Sequence, residues 1–189
     1  PRFYTYIWTM YRAMHGAALA GCRFVVLDRP NPISGTDAFG PMLQYPEYSS
    51  GVGLKPITLL HGMTVGELAR FFNAELLPED AGGSIDLDVV EIEGWRRGMY
   101  FEETRLPWVM PSPNIPTVDS AVAYPGTCLF EGTNLSEGRG TTRPFELIGA
   151  PWIGHEWSEA LTEMELPGVA FREAYFQPTF NKFAGEVCG

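Results

Sequence analysis

At 189 residues and 45% hydrophobic content the chain can build one domain with a sizeable core, or one domain and part of another. Its net charge of −10, from 13 Lys+Arg against 23 Asp+Glu, argues against nucleic acid, whose affinity comes largely from cations neutralising phosphates. No apolar run reaches the roughly 18 residues that a membrane span needs, and an anionic ligand would require a local arginine, since the overall field repels it.

Trp8 to Ala20 has the helical period, with Trp8, Tyr11, Met14, Ala18 and Leu19 on one stripe and Gly21 as its stop. His15 in this helix has no partner one turn away and is expected to be packed or on the surface. Arg23-Phe24-Val25-Val26-Leu27 is a continuous apolar run, expected as a strand buried on both faces of a parallel sheet. Asp28-Arg29-Pro30-Asn31-Pro32 follows at once, so Asp28 and Arg29 sit at a strand's carboxyl end, stiffened by prolines that exclude helix. Residues 33–60 have no clear period and are expected as a long loop in which Phe39, Tyr45 and Tyr48 either line a sugar subsite or close the core edge.

His61 precedes the clearest helix. Thr64 and Glu67 have capping-box spacing, Val65, Leu68, Phe72 and Leu76 form the apolar stripe, and Pro78 is expected just past the end. Residues 85–92 alternate like a strand with one wet face. Between Leu106 and Pro116 four prolines in eleven residues predict an extended, rigid segment whose Trp108 and Asn114 form a sugar-contacting wall or a core-crossing loop. Thr117 is expected to cap a short helix to Ala123, and Thr127-Cys128-Leu129-Phe130 to form a second strand.

Residues 131–142 hold three glycines among two carboxylates, one guanidinium, one amide and four hydroxyls. Glycine weakens helix and strand interiors alike, so a polar loop is expected here. It should lead into a short helix over 143–149, capped by Thr142, and such a loop between strand and helix is where open α/β sheets place ligand sites. The plainer alternative is that Glu131 or Glu137 pairs with Arg139 only to fix the loop. Glu156 to Glu165 reads as a helix and Val169 to Phe176 as a strand, with a domain boundary near Pro151. The expected fold is thus α/β, a partial Rossmann-like doubly wound sheet over residues 1–150, followed over 151–189 by the start of a smaller α+β domain. The carboxyl ends of strands 23–27 and 127–130 are expected on the same side of one sheet.

Cys22, Cys128 and Cys188 are too far apart for a metal-spaced pair, and the first two read as small buried hydrophobes. Neither a dinucleotide, a nucleoside triphosphate nor a zinc fingerprint is present, so no cofactor or metal is expected. The chain starts at Pro1 rather than Met and stops where a new element is expected to begin, so it reads as a piece cut at both ends.

Five motifs occur in order: Arg2-Phe3-Tyr4-Thr5-Tyr6, Leu27 to Pro32, His61 to Ala69, Leu106 to Asn114, and Glu131 to Phe145. Together they resemble the bacterial exo-β-N-acetylmuramidase family, across nearly the whole chain. The resemblance implies a Rossmann-like domain followed by a smaller one with the active site in the cleft between. It also implies release of terminal N-acetylmuramic acid from the non-reducing end of peptidoglycan fragments, extracytoplasmic placement, and muropeptides or MurNAc–GlcNAc saccharides as partners. Family members carry a further upstream portion with a Glu-His dipeptide that this chain lacks.

Glycoside hydrolysis uses two carboxyl groups, one acid and one base or nucleophile, unless a 2-acetamido sugar supplies its own nucleophile. Glu131, Glu137 and Asp28 are the candidates for that chemistry. Arg139 and Arg29 suit the lactyl carboxylate of muramic acid, because a planar guanidinium gives two parallel hydrogen bonds. Asn31, Asn134, Thr141, Thr142, His61, Trp108 and Asn114 are the remaining candidates for sugar contact. A non-catalytic wall-binding module and a sugar-phosphate hydrolase or transferase are the alternative readings.

Overall fold

The computed structural model describes residues 5–189, so Arg2, Phe3 and Tyr4 of the first motif lie outside the described residues. The chain forms two compact units, Pro1–Pro107 and Trp108–Gly189. This division falls well before the boundary expected near Pro151, because residues 136–150 are bonded to the carboxy-terminal segment. Thr179 N–H donates to Gly140 C=O, Asn181 Nδ2 to Glu137 Oε1, and Gly189 N–H to Ala150 C=O.

In the first unit, α1 (Tyr6–Ala20) buries Ile7, Trp8, Tyr11 and Met14, and Gly21 ends it in the left-handed region at φ 63°. The stripe stops there: Leu19 is exposed. The parallel pair β1 (Phe24–Leu27) and β4 (Leu87–Val90) sets Val26 beside Val89. Val26 alone of β1 is fully buried. Val25 and Leu27 are exposed, so the expectation of a strand buried on both faces is corrected. β2 (Phe39–Met42) and β3 (Thr58–Leu60) form a separate antiparallel pair in the long segment.

α2 (Val65–Phe71) carries the expected capping box: Thr64 Oγ1 accepts from Glu67 N–H at 3.2 Å and Glu67 Oε2 from Thr64 N–H at 3.0 Å. The helix does not stop before Pro78. A π-turn over Phe72–Leu76 restarts it as α3 (Leu77–Ala81), with Pro78 in the first turn, where its missing N–H has no partner to lose. Phe72 is fully buried, stacked on Trp8 at 5.6 Å and edge-on to Tyr11 at 5.4 Å, and anchors the core.

Beside that core, Asp80 accepts from Tyr11 Oη and, at 2.7 Å, from buried Lys55, which also donates to Tyr45 Oη at 3.2 Å. Burial opposes the charge on Asp80, yet the hydrogen bonds from Lys55 and Tyr11 hold its carboxyl below the ordinary range. Burial likewise opposes the charge on Lys55, and Asp80 raises it above the usual lysine value. Burial, then the bond to Asp80, pushes the Tyr11 hydroxyl up. Phe39, Tyr45 and Tyr48 are all substantially exposed.

In the second unit, α4 (Val118–Thr127) begins at the expected Thr117 cap but runs past Ala123 into a 3-10 turn over Cys128–Gly132. Residues 127–130 are therefore not a strand. Cys128 N–H bonds Tyr124 C=O, Thr127 Oγ1 bonds Ala123 C=O, and Phe130 C=O accepts from Thr133 N–H, which leaves no ladder for a neighbour. The two strand ends expected on one sheet thus do not exist as a pair. The helix expected over 143–149 is also absent: Phe145 has φ 67° and donates its N–H to Glu137 C=O at 2.7 Å, while Gly149 bridges to Ser136. Thr142 caps nothing. α5 (His155–Glu163) matches its expectation, whereas Val169 to Phe176 contributes only an isolated bridge from Phe176 to Cys188. Cys22 is exposed and Cys128 only partly buried, so the expectation that these two are buried hydrophobes is corrected; the buried cysteine is Cys188. No described helix is long and apolar enough to cross a membrane.

Candidate functional site

In the first unit the candidates converge on the carboxyl end of β1. Asp28 is spent on that junction: Oδ1 accepts from Gly66 N–H at 2.7 Å and Arg29 N–H at 2.8 Å, and Oδ2 from Thr64 Oγ1 at 2.9 Å. Those bonds place a carboxylate at the amino end of α2, where the helix dipole favours negative charge. Gly66 is required there, since a Cβ would lie 2.8 Å from Asp28 Cγ and 2.6 Å from Val89 Cγ1.

Asn31 is buried, donates to Met63 C=O at 3.1 Å and accepts from Ile33 N–H at 3.2 Å. His61 is buried, and its Nδ1 accepts from Met63 N–H at 3.1 Å. Arg97, not singled out in the sequence, donates to Gly62 C=O at 2.9 Å and pairs with Glu67. Burial opposes the charge on Glu67, but Arg97 and the Thr64 N–H hold its carboxyl below the usual range. Arg29 is the exposed cation of this end.

In the second unit the 131–142 loop separates its two carboxylates. Glu137 is buried, its side chain 2% exposed. Its Oε1 accepts from Asn181 Nδ2 at 3.0 Å and lies 3.2 Å from Arg139 Nε. Its Oε2 lies 3.1 Å from Lys182 Nζ, an ion pair without hydrogen-bond alignment. Glu131 is wetter, its side chain 38% exposed, and Oε1 takes both Arg139 Nε, at 3.1 Å, and Arg139 Nη2. Oε2 accepts no hydrogen bond from the described residues. Arg139 thus joins both carboxylates, and its guanidinium stacks 5.0 Å from the centre of the Phe145 ring.

The loop's other polar groups divide the same way. Thr141 Oγ1 donates to Gly138 C=O at 2.6 Å and accepts from Arg143 N–H at 3.1 Å, while Asn134 and Thr142 are exposed. Gly138 and Gly140 have φ of 75° and 85°. A Cβ on Gly140 would meet Thr179 and Phe180 backbone at 2.8 Å, so glycine lets the two segments touch. Trp108 and Asn114 are half-buried at the start of this unit. Among the described residues no group of three His, Cys, Asp or Glu side chains forms a metal centre.

Lys182 and Asn181 were missed. They lie in a segment with no periodicity. The one available signal was scarcity: the chain contains only two lysines, Lys55 and Lys182, and both sit at polar hubs.

An α/β chain whose second unit holds a buried carboxylate–guanidinium loop is the class these features define. Two family models cover it: exo-β-N-acetylmuramidase NamZ, N-terminal, over residues 1–119, and exo-β-N-acetylmuramidase NamZ, C-terminal, over residues 122–189. The chain belongs to the exo-β-N-acetylmuramidase NamZ family. It is 57% identical over 188 residues to the peptidoglycan β-N-acetylmuramidase NamZ of Bacillus subtilis (strain 168), covering 99% of this chain and 44% of that protein. Crystal structures of two DUF1343 family proteins from Bacteroides fragilis NCTC 9343 resemble it with TM-scores of 0.91 and 0.78, at 37% and 34% identity. Each comparison covers 99% of this chain and 48% of the other. The chain spans about half the length of the relatives it matches.

Proposed function

We propose that the whole protein is a glycoside hydrolase that releases terminal N-acetylmuramic acid from the non-reducing end of peptidoglycan fragments. Muropeptides or MurNAc–GlcNAc saccharides are its substrates, outside the cytoplasm. The observation that carries this reading is 57% identity, over nearly the whole chain, to a peptidoglycan β-N-acetylmuramidase. The β1–β4 pair is then part of a doubly wound, Rossmann-like sheet.

Within this chain Glu131 is the carboxylate that serves the reaction, and Glu137 holds it in place. A reacting carboxylate needs an oxygen that a substrate or water can reach. Glu131 Oε2 meets that need and buried Glu137 does not. Arg139 fixes the other Glu131 oxygen, so the free one points in a set direction. Asn134 and Thr142, exposed on the loop that carries Glu131, remain as sugar-contacting groups. Hydrolysis breaks the anomeric C–O bond, delivers water to the anomeric carbon and returns a proton to the leaving oxygen. Glu131 steadies the attacking water or the 2-acetamido group, and the proton donor lies elsewhere in the full-length enzyme.

A non-catalytic wall-binding module would be favoured by complete pairing of both loop carboxylates. Glu137 is paired in that way, whereas Glu131 leaves an oxygen unengaged among the described residues. The test is incubation of the full-length protein with a MurNAc-terminated disaccharide. Free N-acetylmuramic acid in the products supports the reading, and unchanged disaccharide with retained binding supports the module.

A further inference from the structure

We infer that Lys182 is the positioning residue that sets the course of the backbone through Glu131. This rests on the proposed role of Glu131. An ammonium has three N–H donors. Those of Lys182 reach Phe130 C=O at 2.9 Å, Glu131 C=O at 3.1 Å and Leu135 C=O at 2.9 Å. The three carbonyls bracket the stretch that carries Glu131. Past the 3-10 turn this stretch has no ladder, and local bonds close only at Thr133.

Carbonyl oxygens alone do not neutralise a half-buried cation, and Glu137 supplies the counter-charge at 3.1 Å. The ends of the clasp are fixed as well. Asn181 binds Glu137, and Thr179 N–H and Oγ1 both donate to Gly140 C=O, at 3.0 and 2.8 Å. Glu131 is thereby held twice, through its backbone by Lys182 and through its carboxylate by Arg139, and both cations share Glu137. A compact ammonium can serve three carbonyls converging from different directions, whereas the planar fork of arginine cannot. The lysine is therefore chosen for geometry as well as charge.

The experiment uses the full-length protein with Lys182→Met, Lys182→Arg, Glu131→Gln and the Lys182→Met/Glu131→Gln pair. Release of N-acetylmuramic acid from the disaccharide is measured, with kcat and KM separated, below the thermal midpoint of every variant. Lys182→Met should lower kcat about 10- to 100-fold with KM within about threefold, the scale of a misplaced reacting group. Lys182→Arg should not restore it. In the Glu131→Gln background Lys182→Met should cost less than about threefold, because its effect passes through Glu131.

A folded Lys182→Met enzyme with kcat within about twofold of wild type overturns the inference. So does a loss of the same size in both backgrounds, which a general structural role would give. If Lys182→Met does not fold, Lys182→Gln, which keeps two donors, is read by the same criteria. A wild-type protein that releases no muramic acid defeats the functional reading and this inference together, an outcome distinct from an active wild type indifferent to Lys182.

Discussion

Glu131 and Glu137 differ by six positions and by burial, and that difference predicts opposite phenotypes for the same substitution. In Glu137→Gln an amide NH2 would face Asn181 Nδ2, Arg139 Nε or Lys182 Nζ, all of which are donors. The two cations lose their shared anion in a site where the removed side chain is 2% exposed. Removing one partner of a buried ion pair costs about 3–5 kcal/mol. For a full-length protein about twice this chain's length each kcal/mol lowers the thermal midpoint by roughly 1–2 °C, so a fall of about 3–10 °C is expected. Glu131→Gln removes a carboxylate whose side chain is 38% exposed and screened by water, and should cost at most about 1 kcal/mol, or roughly 2 °C. Turnover should reverse the order: Glu131→Gln should lose about 10²–10⁴ in kcat below its midpoint. Differential scanning calorimetry and product release from the disaccharide, on the full-length protein, measure both. Equal midpoint losses would refute the division of roles, and so would near-normal turnover of a folded Glu131→Gln enzyme.

Arg139→Lys keeps the charge but gives up the fork that joins both carboxylates, and should cost about 1.5–3 kcal/mol, seen as a midpoint drop of roughly 2–6 °C in the full-length protein. An unchanged midpoint would refute the pairing. Gly140→Ala places a Cβ 2.8 Å from Thr179 and Phe180 backbone at φ 85°, and should destabilise by more than the roughly 1 kcal/mol of an ordinary left-handed alanine, which urea unfolding would report. In the first unit, Asp80 and Glu67 have lowered pKa values, so their stabilisation is present above the ordinary values of 3.8 and 4.5 and is lost as pH falls below them. Lys55 and Tyr11 have raised values, so theirs is present below 10.5 and 10.0 and is lost as pH rises past them. Thermal midpoints followed from acid to alkaline pH should fall on both sides. Tyr11→Phe should narrow its deficit from wild type on the alkaline limb, and a deficit constant with pH would contradict the assignment.

The parts of the fold legible in the sequence are those set by local periodicity and caps. Trp8, Tyr11 and Met14 at helical spacing, and Thr64 with Glu67, state their structure within one or two turns, and tertiary packing did not override them. The failures share a cause. Thr127-Cys128-Leu129-Phe130 has the composition of a strand, but a strand needs a neighbour, and that neighbour is not a local property. The helical frame of α4 simply continued through it. Residues 143–149 carried plausible cap residues, yet Phe145 took a positive φ so that its N–H could close on Glu137 C=O, a bond that propensity does not encode.

The candidate site shows the same limit in its chemistry. Sequence placed Glu131, Glu137 and Arg139 in one loop and left open whether they react or merely pair. The answer depends on residues 40 to 50 positions away, Asn181 and Lys182, which decide that one carboxylate is interior and the other wet. An acidic chain with only two lysines puts both against a carboxylate inside a unit, Lys55 on Asp80 and Lys182 on Glu137, and leaves its surface cations to arginine. An ammonium loses its hydration on burial and is retained there only where several oxygens replace water. In this chain a lysine therefore marks the point where distant segments bring their oxygens together, and at Lys182 those oxygens belong to the loop that carries Glu131.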